Sequence, residues 1–379
     1  MGGSIHYFTN MAPHYRGLLW RILAEDDSLN MNFYFGSSLN GSIKEIDFND
    51  PFWKNRKQKL RRLKNRRIAG RIVWQSGVIR KIISSNISGA LFLGDMNILS
   101  TWIAALLLKL RGIEVYFWGH GFTGKENLPV KWLRTLFYRL ADAHFLYGNR
   151  AKDLMLEYGF SEKKLYVVFN SLDYDTHLAL RNRAYIEKEI PDLFGQDEKP
   201  LLVFIGRLTP VKRLDLLIKA LSKLNSESYR VNLLIIGDGE MRESLEELAS
   251  QLLEPRTYRF YGACYDEEMI GKLLSSADLC VSPGNVGLTA IHSLSFGTPV
   301  CTHSNFSRQM PEFEAIESGR TGFFFRENDP DDMAEKIRDW FGKAVPRDKV
   351  RRECYSVIDR KYNPYIQLET FKLGILGNE

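Results

Sequence analysis

The sequence is poor in the residues that build metal clusters and disulfide frameworks. Only four cysteines occur in 379 residues: Cys264, Cys280, Cys301 and Cys354. None forms a CxxC or zinc-type spacing. Two sit in the apolar runs Leu279–Pro283 and Pro299–His303. Reduced core thiols are expected, with no bound metal and no disulfide scaffold. Long apolar runs are also missing. Stretches such as Thr101–Leu110 fall well short of the roughly 20 residues that span a bilayer. No internal repeat and no low-complexity segment is present. No leader is expected, because the N-terminus runs straight into a strand pattern. Met1-Gly2 has the form of a myristoylation start, but Ile5-His6-Tyr7 reads as strand core. The chain is therefore read as cytoplasmic.

What is there suits two globular cores. The chain is 44% hydrophobic and 26% charged, with a net charge of +6, so the placement of charge matters more than its sum. Strand and helix patterns alternate throughout, which predicts parallel sheets wound by helices. In the first half, strands are expected at Ser4–Thr9, Met31–Phe35, Ala90–Leu93, Glu114–Trp118, Ala143–Tyr147 and Leu165–Val168. Helices are expected at Leu18–Glu25, Ile98–Arg111, Pro129–Leu140 and Arg150–Tyr158, with one long basic helix across Lys54–Ser84. Asn170–Lys199 is polar and reads as irregular. The expected division is an N-terminal domain over 1–185, a linker over 186–199, a second domain over 200–355, and a helix over 356–379 returning to the first domain.

The second half opens on the buried-strand run Leu201–Gly206. Gly206 then allows a turn toward a ligand, and Arg207 and Lys212 follow at the carboxyl edge of the sheet. Two cations there suit a diphosphate, or form a solvated turn. Ile235-Ile236-Gly237-Asp238-Gly239-Glu240 is a strand-to-helix glycine turn, with Arg242 where a dinucleotide fingerprint has its third glycine. Tyr261-Gly262-Ala263 ends another strand on that edge. Ser282–Val300 (SPGNVGLTAIHSLSFGTPV) is a turn, a helix and a Gly-Thr-Pro stop. Its helix start presents backbone N–H groups at a positive dipole end, as phosphate sites do.

In this order and spacing, GRLTPVKR, IIGDGE, FYGACYDEE, SADLCVSPG and GLTAIHSLSFGTPV resemble the donor half of retaining GT-B glycosyltransferases of the family 4 type (glycosyltransferases group 1). The resemblance covers about the whole second half. It implies an α/β GT-B architecture with two Rossmann-like domains facing a cleft. It also implies a nucleoside-diphosphate-sugar donor, retention at the anomeric carbon and no required metal or cofactor. Arg207 and Lys212 would hold the diphosphate. Gly206, Gly239 and Gly262 would line the donor site, and backbone amides near Val286, Gly287, Leu288 and Thr289 would complete the phosphate cradle. The family's two glutamates are absent: Gly284 and His292 stand in their places. His292 would meet the ribose hydroxyls. The acid near the sugar is expected from elsewhere, with Glu312 preferred over Glu314, and His303 and Asn305 secondary.

The first half carries a sparser pattern. Thr9–Gly17, with His14, Arg16 and Gly17, matches the acceptor-side glycine loop, and Asp95 closes another strand, to bind acceptor or cap a helix. His120 lies between Gly119 and Gly121 at a strand's carboxyl end, where packing neighbours are few. By the resemblance it contacts the donor sugar. Lys54–Arg67 holds nine cations and no acid, with Leu60, Leu63, Ile68 and Ile72 as an expected apolar stripe. As a helix it would dock on an anionic membrane, in keeping with a lipid-linked acceptor. No RNA- or DNA-reading motif accompanies it, so nucleic acid is not an expected partner. The reading is a retaining glycosyltransferase of bacterial-type surface polysaccharide synthesis, peripheral on the inner membrane face. The alternatives are a GT-B sugar-nucleotide epimerase and a non-catalytic nucleotide-sugar-binding protein.

Overall fold

The computed structural model describes residues 3–39, 44–182, 193–194, 199–227 and 229–377. The chain divides into two units, Met1–Asp173 with Pro364–Glu379, and Tyr174–Asn363.

The first unit is an eight-stranded sheet: β1 Ser4–Thr9, β2 Met31–Gly36, β3 Leu60–Ala69, β4 Ile72–Ser76, β5 Ile87–Leu93, β6 Glu114–Gly119, β7 Ala143–Leu146 and β8 Leu165–Val167. Their order is β4-β3-β2-β1-β5-β6-β7-β8, so the winding reverses between β1 and β5. Pairing is parallel except for β3 with β4. The inner strands are largely buried on both faces. Phe8 of β1 stacks on Tyr34 of β2 and Phe92 of β5, with ring centroids 4.5 and 5.1 Å apart. Helices cover both faces, as a parallel strand buried on both faces requires.

The C-terminal helix Pro364–Leu376 belongs to this unit. Phe371 is fully buried against Trp118 and Phe145, at ring distances of 5.0 and 4.7 Å. Gly374 lets the helix close on Phe145: a Cβ there would lie 2.7 Å from the ring. Lys372 pairs with Asp26 at 2.7 Å.

Two expected elements are corrected. The basic segment is not a helix across Lys54–Ser84. It is a four-residue helix, Pro51–Lys54, then the β3–β4 hairpin, then the helix Val78–Ser84. β3 joins the parallel sheet through Phe33↔Leu60 to Gly36↔Leu63 and continues against β4 from Lys64↔Ser76 to Ala69↔Ile72. A helix would stack like charges at i,i+4, whereas a strand alternates them across two faces. Gly70, at φ +52°, makes the turn. The expected apolar stripe is accordingly split. Leu60 packs with one face's core, Leu63 with the other's, and Ile68 and Ile72 are exposed. The polar stretch 170–199 is not wholly irregular either. It contains the helix Tyr174–Arg181, which buries His177 and Leu180 within the second unit. The expected linker at 186–199 lies mostly outside the described residues.

The second unit is a six-stranded, all-parallel sheet: β9 Leu201–Ile205, β10 Asn232–Ile236, β11 Tyr258–Gly262, β12 Leu279–Ser282, β13 Val300–His303 and β14 Gly322–Phe325. The order β11-β10-β9-β12-β13-β14 reverses between β9 and β12. The loops after those two strands diverge, which opens a crevice at their carboxyl ends.

Phe371→Ala removes a ring that the C-terminal helix anchors in the first sheet. It should destabilise the first unit by about 3–5 kcal/mol in a urea titration. A loss under about 1 kcal/mol would mean that the helix contributes little to that core.

Candidate functional site

In the second unit, the β9 and β10 loops are sealed together by glycines. Gly237 is so close to the first loop that a Cβ on it would sit 1.9 Å from the Gly206 carbonyl oxygen. At Gly239 a Cβ would lie 2.4 Å from the Leu208 carbonyl oxygen. Both glycines have φ beyond +140°, open to residues without a side chain. Gly262 ends β11 at φ +90°, and its carbonyl accepts the Gly237 N–H.

The loop after β12 is built the same way. The turn Pro210–Lys212 folds onto Gly284: the Gly284 N–H donates to the Lys212 carbonyl, and a Cβ at 284 would lie 1.9 Å from the Val211 carbonyl oxygen. No residue with a side chain fits there, so the absent carboxylate is a packing requirement of this loop. Lys212 then reaches across. Its Nζ donates to the Asn285 carbonyl at 2.6 Å and to Asn285 Oδ1 at 3.0 Å. Desolvation lowers the Lys212 pKa to about 8, against the opposing charge of Glu312. Glu312 is buried in the short turn Pro311–Ala315. Its charge acts on Lys212 from there. Arg207 is exposed at the same strand end.

Two of the expected cradle groups are already engaged. The Val286 N–H donates to Gln309 Oε1 at 2.9 Å, so it is not a spare phosphate donor. Gln309 also donates to Thr302 and to the His303 carbonyl, which ties the loop to β13. The Thr289 hydroxyl donates to the Ile205 carbonyl, leaving only its N–H for a ligand. The N–H groups of Gly287, Leu288 and Thr289 remain at the helix start, with Gly287 at φ +53°. His303 and Asn305 serve their own loop: Asn305 donates to His303 Nδ1 and to Glu327.

His292 is not isolated. Its Nε2 lies 3.0 Å from Glu267 Oε2, and His177 Nε2 lies 3.1 Å from the same oxygen. The two imidazoles stack with centroids 5.0 Å apart and planes 10° apart. Burial alone would raise the Glu267 pKa. The two imidazole hydrogen bonds outweigh it and hold the carboxyl well below its usual range. Among the described residues these three form a set able to hold a metal ion, with ligand atoms within 4.8 Å of one another. In the tautomers that donate through Nε2, the same geometry satisfies the carboxylate without one. Sequence reasoning missed Glu267 because Asp266-Glu267-Glu268 opens a helix, where acids read as dipole and capping residues; Asp266 is indeed the N-cap.

In the first unit, the loops after β1, β5 and β6 gather where the strand order reverses. His120 is exposed as a residue, while its ring packs 4.8 Å from the Tyr147 ring. Desolvation by the surrounding protein, followed by the Arg16 guanidinium, lowers its pKa, so the imidazole is neutral at pH 7. Arg16, expected to meet acceptor, is instead buried. It donates to Tyr147 Oη at 2.8 Å and Asn170 Oδ1 at 3.2 Å, and lies 4.6 Å over the Trp118 ring. It positions the ring wall beside His120. Asp95 accepts from the Asn97 backbone and side chain, closing the turn before the next helix. His14 is exposed and contacts the Lys44 carbonyl through Nδ1. Gly17 has helical φ and space for a Cβ, so no backbone demand explains it.

Residues 186–355 match the family described as glycosyl transferases group 1. This segment is a group 1 glycosyltransferase domain. A glycosyltransferase of Methanocaldococcus jannaschii, itself uncharacterized, is 28% identical over 205 residues, 52% of this chain and 50% of that protein. A GDP-mannose-dependent alpha-(1-6)-phosphatidylinositol dimannoside mannosyltransferase of Mycobacterium tuberculosis is 31% identical over 157 residues, 41% of this chain and 38% of that protein. The chain thus matches half or less of the length of these curated relatives. The crystal structure of Anabaena HepE with UDP covers 97% of this chain and 98% of its own, with a TM-score of 0.70 at 13% identity. The fold of the chain is therefore GT-B, with two Rossmann-like domains.

A lysine with its pKa at about 8 loses its charge within the working range. Donor turnover, read as kcat/KM, should fall as pH rises through about 8, whereas an unperturbed lysine would hold until about 10. Lys212→Arg, which keeps its proton, should remove that limb. An unchanged pH profile in this variant would assign the limb to another group.

Proposed function

We propose that the protein is a retaining glycosyltransferase. It moves a sugar from a nucleoside diphosphate to a hydroxyl of a glycan or lipid-linked glycan, in bacterial-type surface polysaccharide synthesis. The observation that carries this reading is Lys212, bonded through Nζ to the Asn285 carbonyl and side chain among glycine-lined loops where β9 and β12 diverge. A half-buried cation beside a helix start suits a diphosphate. Arg207 adds a second, exposed cation. As the bond between the anomeric carbon and the diphosphate oxygen breaks, these charges meet the growing negative charge of the leaving group. The acceptor oxygen forms its bond on the same face, and the departing diphosphate takes the acceptor proton. No metal is needed in this scheme, because Arg207, Lys212 and the helix start supply the positive charge.

Ribose recognition falls to His292 together with Glu267. His292 holds the carboxylate that its own position lacks, and an ionised Glu267 accepts from a vicinal diol. Neutral His120 is assigned to a sugar hydroxyl rather than to proton abstraction. The relatives support the donor and acceptor classes: one is GDP-mannose-dependent and acts on a phosphatidylinositol dimannoside, and the HepE structure holds UDP. An anionic membrane surface is the proposed partner, with cytoplasmic, peripheral placement. Among the described residues, no helix is long and apolar enough to cross a membrane.

One observation favours a non-catalytic binding protein: Gly284 excludes the family's sugar-side acid by packing. Thermal-shift screening against UDP, GDP, ADP and their sugars, followed by donor hydrolysis, separates the readings. A stabilising nucleotide with turnover of its sugar is expected. Stabilisation without turnover on any acceptor would favour the inert reading. Glu312→Gln should lower kcat about 10²-fold or more while the nucleotide still stabilises. Gly284→Glu should lower the melting temperature and restore nothing. His120→Ala should lower kcat by a similar 10²-fold, roughly the effect of losing one transition-state hydrogen-bond donor. Intact turnover would remove its role.

A further inference from the structure

The first unit exposes an apolar surface that the transfer chemistry does not use. Three helices, Val78–Ser84, Leu99–Leu110 and Leu128–Tyr138, pack on one face of its sheet through Ile82, Leu108 and Phe137, which share one core. Trp102 and Phe137 join the second and third helices, with ring centroids 4.9 Å apart. Their outer sides are not polar. Nine of the 23 exposed large apolar side chains lie on these 30 helical residues, far more than an even spread over the chain would place there. The spacing is helical. Ile103, Leu106 and Leu110 run along one helix at 40%, 50% and 84% exposure, and Leu128, Trp132 and Leu136 along the next at 81%, 68% and 46%. A face of this size on a chain in water marks an interaction site.

Charge identifies the occupant. The same 30 residues hold Arg80, Lys81, Lys109, Lys131 and Arg134 and not one acid. Lys109 pairs with Asp142 and Arg134 with Glu126, so acids of neighbouring segments offset these two, and Lys131 sits 3.7 Å over the Tyr158 ring. The basic β3–β4 hairpin adjoins them. The Val73 N–H donates to the Asn97 carbonyl, just ahead of the helix Leu99–Leu110. Two copies of this face would set cation against cation. An anionic lipid surface complements both parts of it, with acyl boundary for leucine and tryptophan and phosphate for the cations.

We propose that the outer face of these three helices docks the protein on anionic phospholipid, with Trp132 and its leucine neighbours entering the headgroup boundary. The helices lie on the bilayer rather than span it. The proposal deepens the lipid-acceptor part of the function proposed above, and its test does not depend on transfer activity.

Flotation of the full chain is measured with vesicles of phosphatidylcholine alone and with about one-third phosphatidylglycerol. Leu106→Glu/Trp132→Glu substitutes exposed residues, so the fold should persist, as checked by circular dichroism and by an unchanged nucleotide thermal shift. Binding to the anionic vesicles, weakened by salt, is expected for the native chain, with at least a tenfold loss in the double variant. Absence of vesicle binding by the native chain would overturn the proposal, as would equal binding by the variant. So would a loss confined to Lys64→Glu/Arg66→Glu, which would place the contact on the hairpin alone. A native dimer that the apolar-face variant converts to monomer, without vesicle binding, would overturn it in favour of a second copy.

Discussion

The second unit's site depends on one close approach, the Val211 carbonyl lying against Gly284. That contact brings the turn Pro210–Lys212 over the loop after β12, and three features follow. Lys212 reaches the Asn285 backbone, the loop is pinned through Val286 and Gln309 to β13, and the lysine is desolvated. A residue with a Cβ at 284 would push the two loops apart and undo all three. The glycines at 237 and 239 play the matching part on the neighbouring loop. The crevice edge is therefore backbone packed on backbone, and its charges are few and tightly placed.

The first unit solves a different problem with the same economy of charge. A buried guanidinium, Arg16, is held by a tyrosine hydroxyl, an asparagine and the face of a tryptophan. Its field helps to keep the neighbouring His120 neutral. A neutral imidazole at a strand end can donate or accept a hydrogen bond. Acidity in the second unit is arranged in the opposite sense: His177 and His292 share Glu267 and keep it ionised.

Much of the fold was legible from local pattern. The run at Leu201–Ile205 is apolar on both faces, and only a buried parallel strand suits such a run. The order of glycine turns after the strands placed Arg207 and Lys212 at the ligand edge. The basic segment was misread because Lys, Arg and Leu have high helix propensity and Leu60 and Leu63 have helical spacing. Pairing with β2 and β4 overrode both. The helix Tyr174–Arg181 was missed because its short, polar sequence is stabilised by distant partners, including Glu267.

The sequence alone determined the alternation of strands and helices, the two-core division, the glycine turns and the cations that follow them. These depend on residue type and short spacing. Only the tertiary structure decided that Lys212 is held by Asn285, that Val286 is already bonded, that Arg16 is buried and that His292 shares Glu267 with His177. It also decided that leucines from separate helices make one exposed face. Each of these joins residues well apart in the chain, or turns on which side of an element faces solvent. Local pattern carries no record of either.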